Sequence, residues 1–169
     1  LEELEFELTG GQKKAVDEIL SDMKSGRPMN RLVQGDVGSG KTVVAASALF
    51  FTALNGFQGA LMAPTEVLAQ QHYFTLTQLL GPLGIRCGYV AQNISPEEKE
   101  RVLARVSDGT IQIVIGTHSL IQQSLKFHRL GLLGGVRVED TAVKGYTYLK
   151  FRSTTVAAEP DPFKRAALD

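Results

Sequence analysis

The sequence predicts an α/β chain with a doubly wound, mostly parallel sheet and helices on both faces. Three observations lead there. Short apolar runs alternate with longer stretches of helical periodicity. The runs, such as Ala60-Leu61-Met62-Ala63 and Gln112-Ile113-Val114-Ile115, are nearly continuous rather than alternating, as strands covered on both faces are. A glycine-rich turn joins the first run to the helix that follows it.

Each element has its own local reason. Thr9 is placed to cap a helix in which Ala15, Val16, Ile19, Leu20 and Met23 recur at three- and four-residue spacing, with Lys13, Lys14, Asp17 and Glu18 off the stripe. After Ser25-Gly26-Arg27-Pro28, residues 31–34 read as a strand entering the turn, and 41–55 as a helix apolar on nearly every side. The pattern repeats as strand 59–63 with helix 66–80, strand 86–90 with helix 96–106, and strand 111–115 with a shorter helix from Thr117. Ser95, Pro96 and Glu98 form a helix-start signature: a capping hydroxyl, a proline at the first helical position and a glutamate three residues after the cap. After Gly134-Gly135 the alternation is lost. The stretch Tyr146 to Phe151 alternates in a way that could add an edge strand, and Ala157-Ala158-Glu159-Pro160-Asp161-Pro162 resembles a linker.

Composition bounds the function. A chain of 169 residues, 43% hydrophobic and 21% charged, suits one globular domain with a real core. Lysine plus arginine equals aspartate plus glutamate at 18 each, so no overall positive field draws in a nucleic acid and any such contact must be local. The single cysteine, Cys87, excludes an internal disulfide and a cysteine-built zinc site, which fits a reducing, cytoplasmic setting. The longest apolar run, 43–51, is interrupted by Ser47 and too short to span a bilayer, and the acidic start is unlike a signal peptide. A soluble monomer is the expectation.

Gly35, Asp36, Val37, Gly38, Ser39, Gly40, Lys41 and Thr42 satisfy the phosphate-loop pattern G-x-x-x-x-G-K-[ST]. Its glycines let successive backbone N–H groups turn toward phosphate oxygens. Lys41 supplies a mobile positive charge for the outer phosphates, and Thr42 a hydroxyl for Mg2+. The following helix aims its positive end at the same anion. A glycine-rich turn with an incidental lysine is the bland alternative, and the strand before and helix after argue against it.

The flanks say more than the loop. Residues 29–45, then 60–72 with Pro64-Thr65-Glu66, then 113–122 with Gly116-Thr117-His118, and ahead of them 6–12 with Phe6 and Gln12, occur in this order. Over about residues 4–133 they resemble the RecG family of bacterial ATP-dependent DNA helicases, in the first of its two RecA-like motor domains. Transcription-repair coupling translocases are similar but usually carry a bulky aromatic at the position of Ser39. The resemblance implies ATP and Mg2+ as cofactors and branched or single-stranded DNA as partner, in recombination and repair. It implies adenine contacts from Phe6 and Gln12, and contacts to the single-strand backbone from Pro64, Thr65, Glu66, Gly116, Thr117 and His118. On the residues alone, Phe6 could be a core anchor, Gln12 an exposed first-turn residue, and Thr65 and Thr117 simple helix N-caps.

The same resemblance marks a departure. The family carries Asp-Glu-x-His on the next strand, to hold magnesium and polarise the attacking water. This chain follows the family through Leu133 and then has Gly134-Gly135-Val136-Arg137, with Glu139-Asp140 arriving late and in inverted order. A frame disruption or fusion near Gly134 would account for the change. The expected organisation is therefore a motor domain at 1–133 and a divergent tail at 134–169, without the second motor domain or the fork-splitting wedge. Such a chain is expected to bind ATP and hardly turn it over.

Overall fold

The computed structural model describes residues 8–24, 30–36, 41–117, 121, 125–141 and 144–153. Helix α1 (Gly10–Lys24) is followed by β1 (Asn30–Asp36), α2 (Lys41–Leu54), β2 (Gln58–Ala63), α3 (Glu66–Leu80) and a 3-10 turn (Gly81–Leu83). Then come β3 (Cys87–Val90), α4 (Pro96–Ser107), β4 (Ile113–Thr117), β5 (Leu130–Thr141) and β6 (Lys144–Ser153). Thr117, expected to open a helix, instead ends β4, two residues beyond the strand end the sequence predicts; of residues 118–124 only Ile121, which is buried, is among those described.

The helix starts obey local chemistry. Thr9 Oγ1 accepts the Gln12 N–H at 3.3 Å while Gln12 Oε1 accepts the Thr9 N–H at 2.9 Å, a reciprocal capping box that opens α1. Ser95 Oγ accepts the Glu98 N–H at 3.2 Å, as the Ser95-Pro96 signature requires.

The strands form one sheet in the order β1-β6-β5-β2-β4-β3. Strands β5, β2, β4 and β3 are mutually parallel. Strand β6 runs antiparallel to β5 and to β1, and those two reversals return β1 to the sense of the parallel four. The α/β, mostly parallel expectation holds. The tail strand, however, is interior rather than at an edge, because it is paired on both sides. Only residues 142 and 143 separate β5 from β6, a connection long enough for an antiparallel return and far too short for a crossover. The returning strand takes the edge of β5 that β2 leaves free, and β1 adds outside it.

Two cores sandwich the sheet. Leu61, Ala63, Ile113, Ile115 and Leu132 face α1, α2 and α3 with Val16, Ile19, Leu49, Leu76 and Leu80. Ala60, Met62 and Val114 face the other way, onto Val106 of α4 with Ile121 and Leu125. Neighbouring positions of β2 and β4 thus bury opposite faces, which is why these strands read as unbroken apolar runs. Helix α2 reaches the sheet closely at Gly59, where a Cβ would stand 2.5 Å from Leu49 Cδ2.

One polar residue is built into this interior. Gln58, 4% exposed, donates from Nε2 to the carbonyls of Val106 and Ile111, both at 2.8 Å, and accepts the Arg129 N–H on Oε1 at 2.9 Å. Its own N–H donates to the Arg129 carbonyl at 2.6 Å. The end of α4 and the entries to β4 and β5 are all tied to the first residue of β2. Replacing the amide by a same-sized hydrocarbon strands buried backbone groups, so Gln58→Leu is expected to lower unfolding free energy by about 2–4 kcal/mol in urea titration. A change within ±0.5 kcal/mol would show that the clamp carries no weight.

Candidate nucleotide and nucleic-acid site

Strand β1 ends at Asp36 and α2 begins at Lys41, so strand and helix stand on either side of the phosphate-loop sequence as that motif demands. Gly35 and Asp36 close β1, and Lys41 and Thr42 open α2, with Thr42 half-buried. Val37, Gly38, Ser39 and Gly40 lie outside the described residues, as do Phe6 and His118. Beyond Thr42 the helix goes straight into the core: Val44, Ala45, Ala46, Ala48 and Leu49 are each at most 2% exposed. Ser47 and Thr52 are also buried, and their hydroxyls donate to the carbonyls of Val43 and Ala48 at 2.9 and 2.8 Å, so no polar group is stranded. Burial fixes the axis of α2, and with it the direction of its first N–H groups, which no helix pairs within itself.

The other predicted contacts gather at the carboxyl ends of the parallel strands. Val90 pairs with Gly116, Gly116 with Met62, and Met62 with Gly135; one residue on, Thr117 pairs with Ala63. Pro64 and Thr65 follow Ala63 directly and are exposed. Thr65 is the N-cap of α3, extended at φ −132° and ψ 156°, and its hydroxyl accepts the Leu68 N–H at 3.2 Å. Gly116 is buried, and a Cβ there would collide with the carbonyl oxygen of Val90. Its glycine is explained by close strand approach, while Thr117 stands half-buried at the end of β4.

Glu66 opens α3 half-buried, and its Oε1 accepts the Gln92 N–H at 3.1 Å, across to the loop between β3 and α4. In the same neighbourhood the Tyr89 hydroxyl donates to Asn93 Oδ1 at 3.2 Å, and the Tyr73 and Tyr89 rings meet at 5.5 Å, tilted by 38°. Burial raises the Tyr89 hydroxyl above its ordinary range; the Asn93 bond opposes this and the Glu66 charge adds to it. Burial also lowers His72 and pushes the Cys87 thiol up to about 11, against a hydrogen bond with Thr77, so that thiol is protonated at neutral pH. Neither the Glu66–Gln92 tie nor the Gln58 clamp was legible beforehand, since each joins residues distant in sequence.

Strand β5, on which the resemblance expects the acidic motif, runs beside β2. There Leu61 pairs with Gly134 and Met62 with Gly135, so glycines occupy β5 at the level where β2 ends. Strand β5 continues unbroken across Leu133 and Gly134. Farther along, Glu139 and Asp36 both pair with Tyr146, which sets their backbones two strand spacings apart, roughly 10 Å, in one row. Among the described residues no group of three His, Cys, Asp or Glu could hold a metal, and no helix is long and apolar enough to cross a membrane.

This arrangement has relatives. The DEAD/DEAH box helicase family is matched over residues 9–138. The chain belongs to that family. Among these helicases it is similar to the ATP-dependent DNA helicase RecG of Streptococcus pneumoniae, 48% identical over 130 residues, covering 77% of this chain and 19% of that protein. The RecG of Thermotoga maritima is 46% identical over 133 residues (79% of this chain, 17% of the relative), and that of Aquifex aeolicus 43% over 131 (78% and 16%). A solved structure of RecG bound to a three-way DNA junction matches with a TM-score of 0.72 at 46% identity, covering 78% of this chain and 18% of that one. The chain thus spans under a fifth of the length of these relatives, and the helicase fold is the part it shares with them.

The glycine of the Gly-Thr-His segment is open to a direct test. Since the oxygen a Cβ would strike belongs to a laddered backbone, Gly116→Ala is expected to cost about 1–3 kcal/mol in denaturant unfolding. An unchanged midpoint would free Gly116 from this packing role.

Proposed function

We propose that this chain is the first motor domain of a RecG-like helicase, binding ATP with Mg2+ at one edge of its sheet and the backbone of single-stranded DNA beside it. The observation that carries the reading is the common direction of the strands. Strand β1 delivers Gly35 and Asp36 to the same edge at which β2 delivers Thr65 and β4 delivers Thr117, the edge where doubly wound sheets bind ligands. The residues present suit the nucleotide: a long buried helix opening at Lys41 directs N–H groups and a partial positive charge outward. In this reading Gly35, Asp36, Val37, Gly38, Ser39 and Gly40 wrap the phosphates, Lys41 neutralises their outer oxygens and the Thr42 hydroxyl holds Mg2+. The metal, when bound, offsets charge on the phosphate oxygens. Phe6 and Gln12 take the adenine. The Thr9 N–H bond supports this for Gln12, because a carboxamide held in one orientation is what a two-point contact to a base edge needs.

Thr65 and Thr117 would reach the DNA backbone through hydroxyls and helix amides, which suits a chain of zero net charge. Contacts of this neutral kind release few counterions, so the affinity they give falls only shallowly with salt. Branched DNA as the substrate of the longer protein, and a role in recombination and repair, follow from the relatives' kinship and belong to this proposal.

A second reading has its own observation. With Gly134 and Gly135 at the end of the β2-paired stretch of β5, this chain would be a nucleotide-binding module that does not hydrolyse. The arginine finger that a second motor domain would contribute is worth about a thousandfold to a hundred-thousandfold in phosphoryl transfer.

Two measurements test these statements. Magnesium-ATP at about a hundred times its dissociation constant should stabilise the chain by about 2.7 kcal/mol, a Tm rise of several degrees, and Lys41→Ala should abolish the rise; no rise in the unmutated chain refutes nucleotide binding. DNA-stimulated phosphate release should stay at background. Robust release, lost in Glu139→Gln or Asp140→Asn, would instead assign the hydrolytic carboxylate to that pair.

A further inference from the structure

The last turn of α2 leads into the chain's one asparagine-glycine pair, Asn55-Gly56. We infer that Asn55 is a site of spontaneous deamidation, and that the folded chain sets its rate by how often this turn opens. The reaction needs no ligand.

The residues supply the chemistry. Asn30 precedes Arg31 and Asn93 precedes Ile94, so each is followed by a side chain that hinders ring closure; Asn55 alone precedes a glycine. Both Asn55 and Gly56 are exposed. The Gly56 backbone nitrogen, on losing its proton to a solvent base, attacks Cγ of Asn55. A C–N bond forms, the Cγ–Nδ2 bond breaks, and Nδ2 takes a proton and leaves as ammonia. Water then opens the cyclic imide at either carbonyl, giving aspartate or an isoaspartate whose main chain runs through Cγ.

The fold commits both reacting groups elsewhere. The Gly56 N–H donates to the Ala53 carbonyl at 3.0 Å, and Asn55 Nδ2 donates to the Phe51 carbonyl at 2.8 Å. The Phe57 N–H closes the cap on the Thr52 carbonyl at 3.1 Å, with Gly56 left-handed at φ +79°. An engaged N–H gives up its proton less readily, and a carboxamide tied back along the helix is not free to turn toward the attacking nitrogen. Attack therefore waits for the turn to open, and helix ends open at far lower cost than the core.

The end of α4 supplies a contrast. Asp108-Gly109 follows that helix in the same way, with Gly109 at φ +85° and its N–H on the Val106 carbonyl at 3.2 Å. Asp108 Oδ1, however, accepts the Thr110 N–H at 2.8 Å, and hydrogen bonds with Thr110 hold its carboxyl below the usual carboxylate range. An ionised carboxylate offers no leaving group for this ring closure, whereas a carboxamide offers ammonia. At Asn55 the product also differs from its parent: a carboxylate replaces a donor beside the Phe51 carbonyl, at the negative end of the helix that follows the phosphate-loop sequence.

The test is peptide mass spectrometry on the whole chain aged at mildly alkaline pH, folded and in urea, scoring aspartate and isoaspartate at residue 55. In urea residue 55 should convert, with residues 30 and 93 far behind. Folded, it should convert roughly tenfold to a hundredfold more slowly, the worth of two neutral hydrogen bonds. Leu54→Gly, at an exposed position, weakens the turn and leaves both reacting groups in place. It should speed conversion about threefold to fivefold in the folded chain, the helix-propensity difference between leucine and glycine, without changing the rate in urea. Hydrogen exchange at the Gly56 amide should quicken by the same factor. Urea well below the unfolding midpoint should barely alter the folded rate, since opening one turn exposes little surface. A steep rise there would mean that the reaction waits on global unfolding, and would overturn the role of the turn. Equal rates in the folded and unfolded chain would overturn it too, and no product at residue 55 in urea would remove the site itself.

Discussion

The carboxamide of Gln58 is the constraint on which the geometry of the sheet depends. It sits at the first residue of β2 and ties to itself the end of α4, the chain entering β4 and the chain entering β5. In a low-dielectric interior each of those backbone groups would be costly to leave unpaired, and one side chain satisfies them together. The consequence is felt at the opposite end of the strands. Past a one-residue shift against β5 between Gln58 and Gly59, the parallel registers carry β2, β4 and β5 in step to the level at which β2 and β4 end, at Ala63 and Thr117.

That edge then inherits its precision from the packing on both faces. Helix α2 can approach β2 as closely as it does because Gly59 has no Cβ to meet Leu49, and β4 can sit beside β3 because Gly116 has none to meet Val90. The helices are seated by apolar burial, and those capped by Thr65 and Ser95 keep their amino ends exposed. Rigid helices with solvent-facing N–H groups suit the handling of phosphates by a chain with no excess positive charge.

The antiparallel insertion of β6 sets the strand order on this side of the sheet. It separates β1 from β5, so the strand that leads into the phosphate loop and the strand that would bear acidic residues are not neighbours. Gly134 and Gly135 fill β5 beside β2, while Glu139 comes level with Asp36 only across Tyr146. The contrast between a complete phosphate-loop sequence and glycines at that level of β5 distinguishes binding from turnover in the proposed function.

Much of this was legible in the residues themselves, and for one reason: the rules involved are local. Helix α3 spans Glu66–Leu80 as its spacing predicts, and Thr9 and Ser95 cap α1 and α4, because a cap hydroxyl meets an N–H only three residues away. Opposite burial of adjacent strand residues follows from a two-residue period, and the phosphate-loop pattern needs only eight consecutive residues. Tertiary structure decided the rest. The Gln58 clamp joins residues 48 to 71 positions apart, and the Glu66–Gln92 tie spans 26. No periodicity or spacing encodes which distant backbone group will lie beside a given side chain. The alternation from Tyr146 to Phe151 announced a strand but could not say which edges it would pair with, since pairing is chosen by what the sheet leaves open. The sequence alone therefore determined the fold class, the starts of α1, α3 and α4 and the presence of the phosphate-loop pattern, and only the folded chain determined that Thr117 ends a strand and which strand ends stand together.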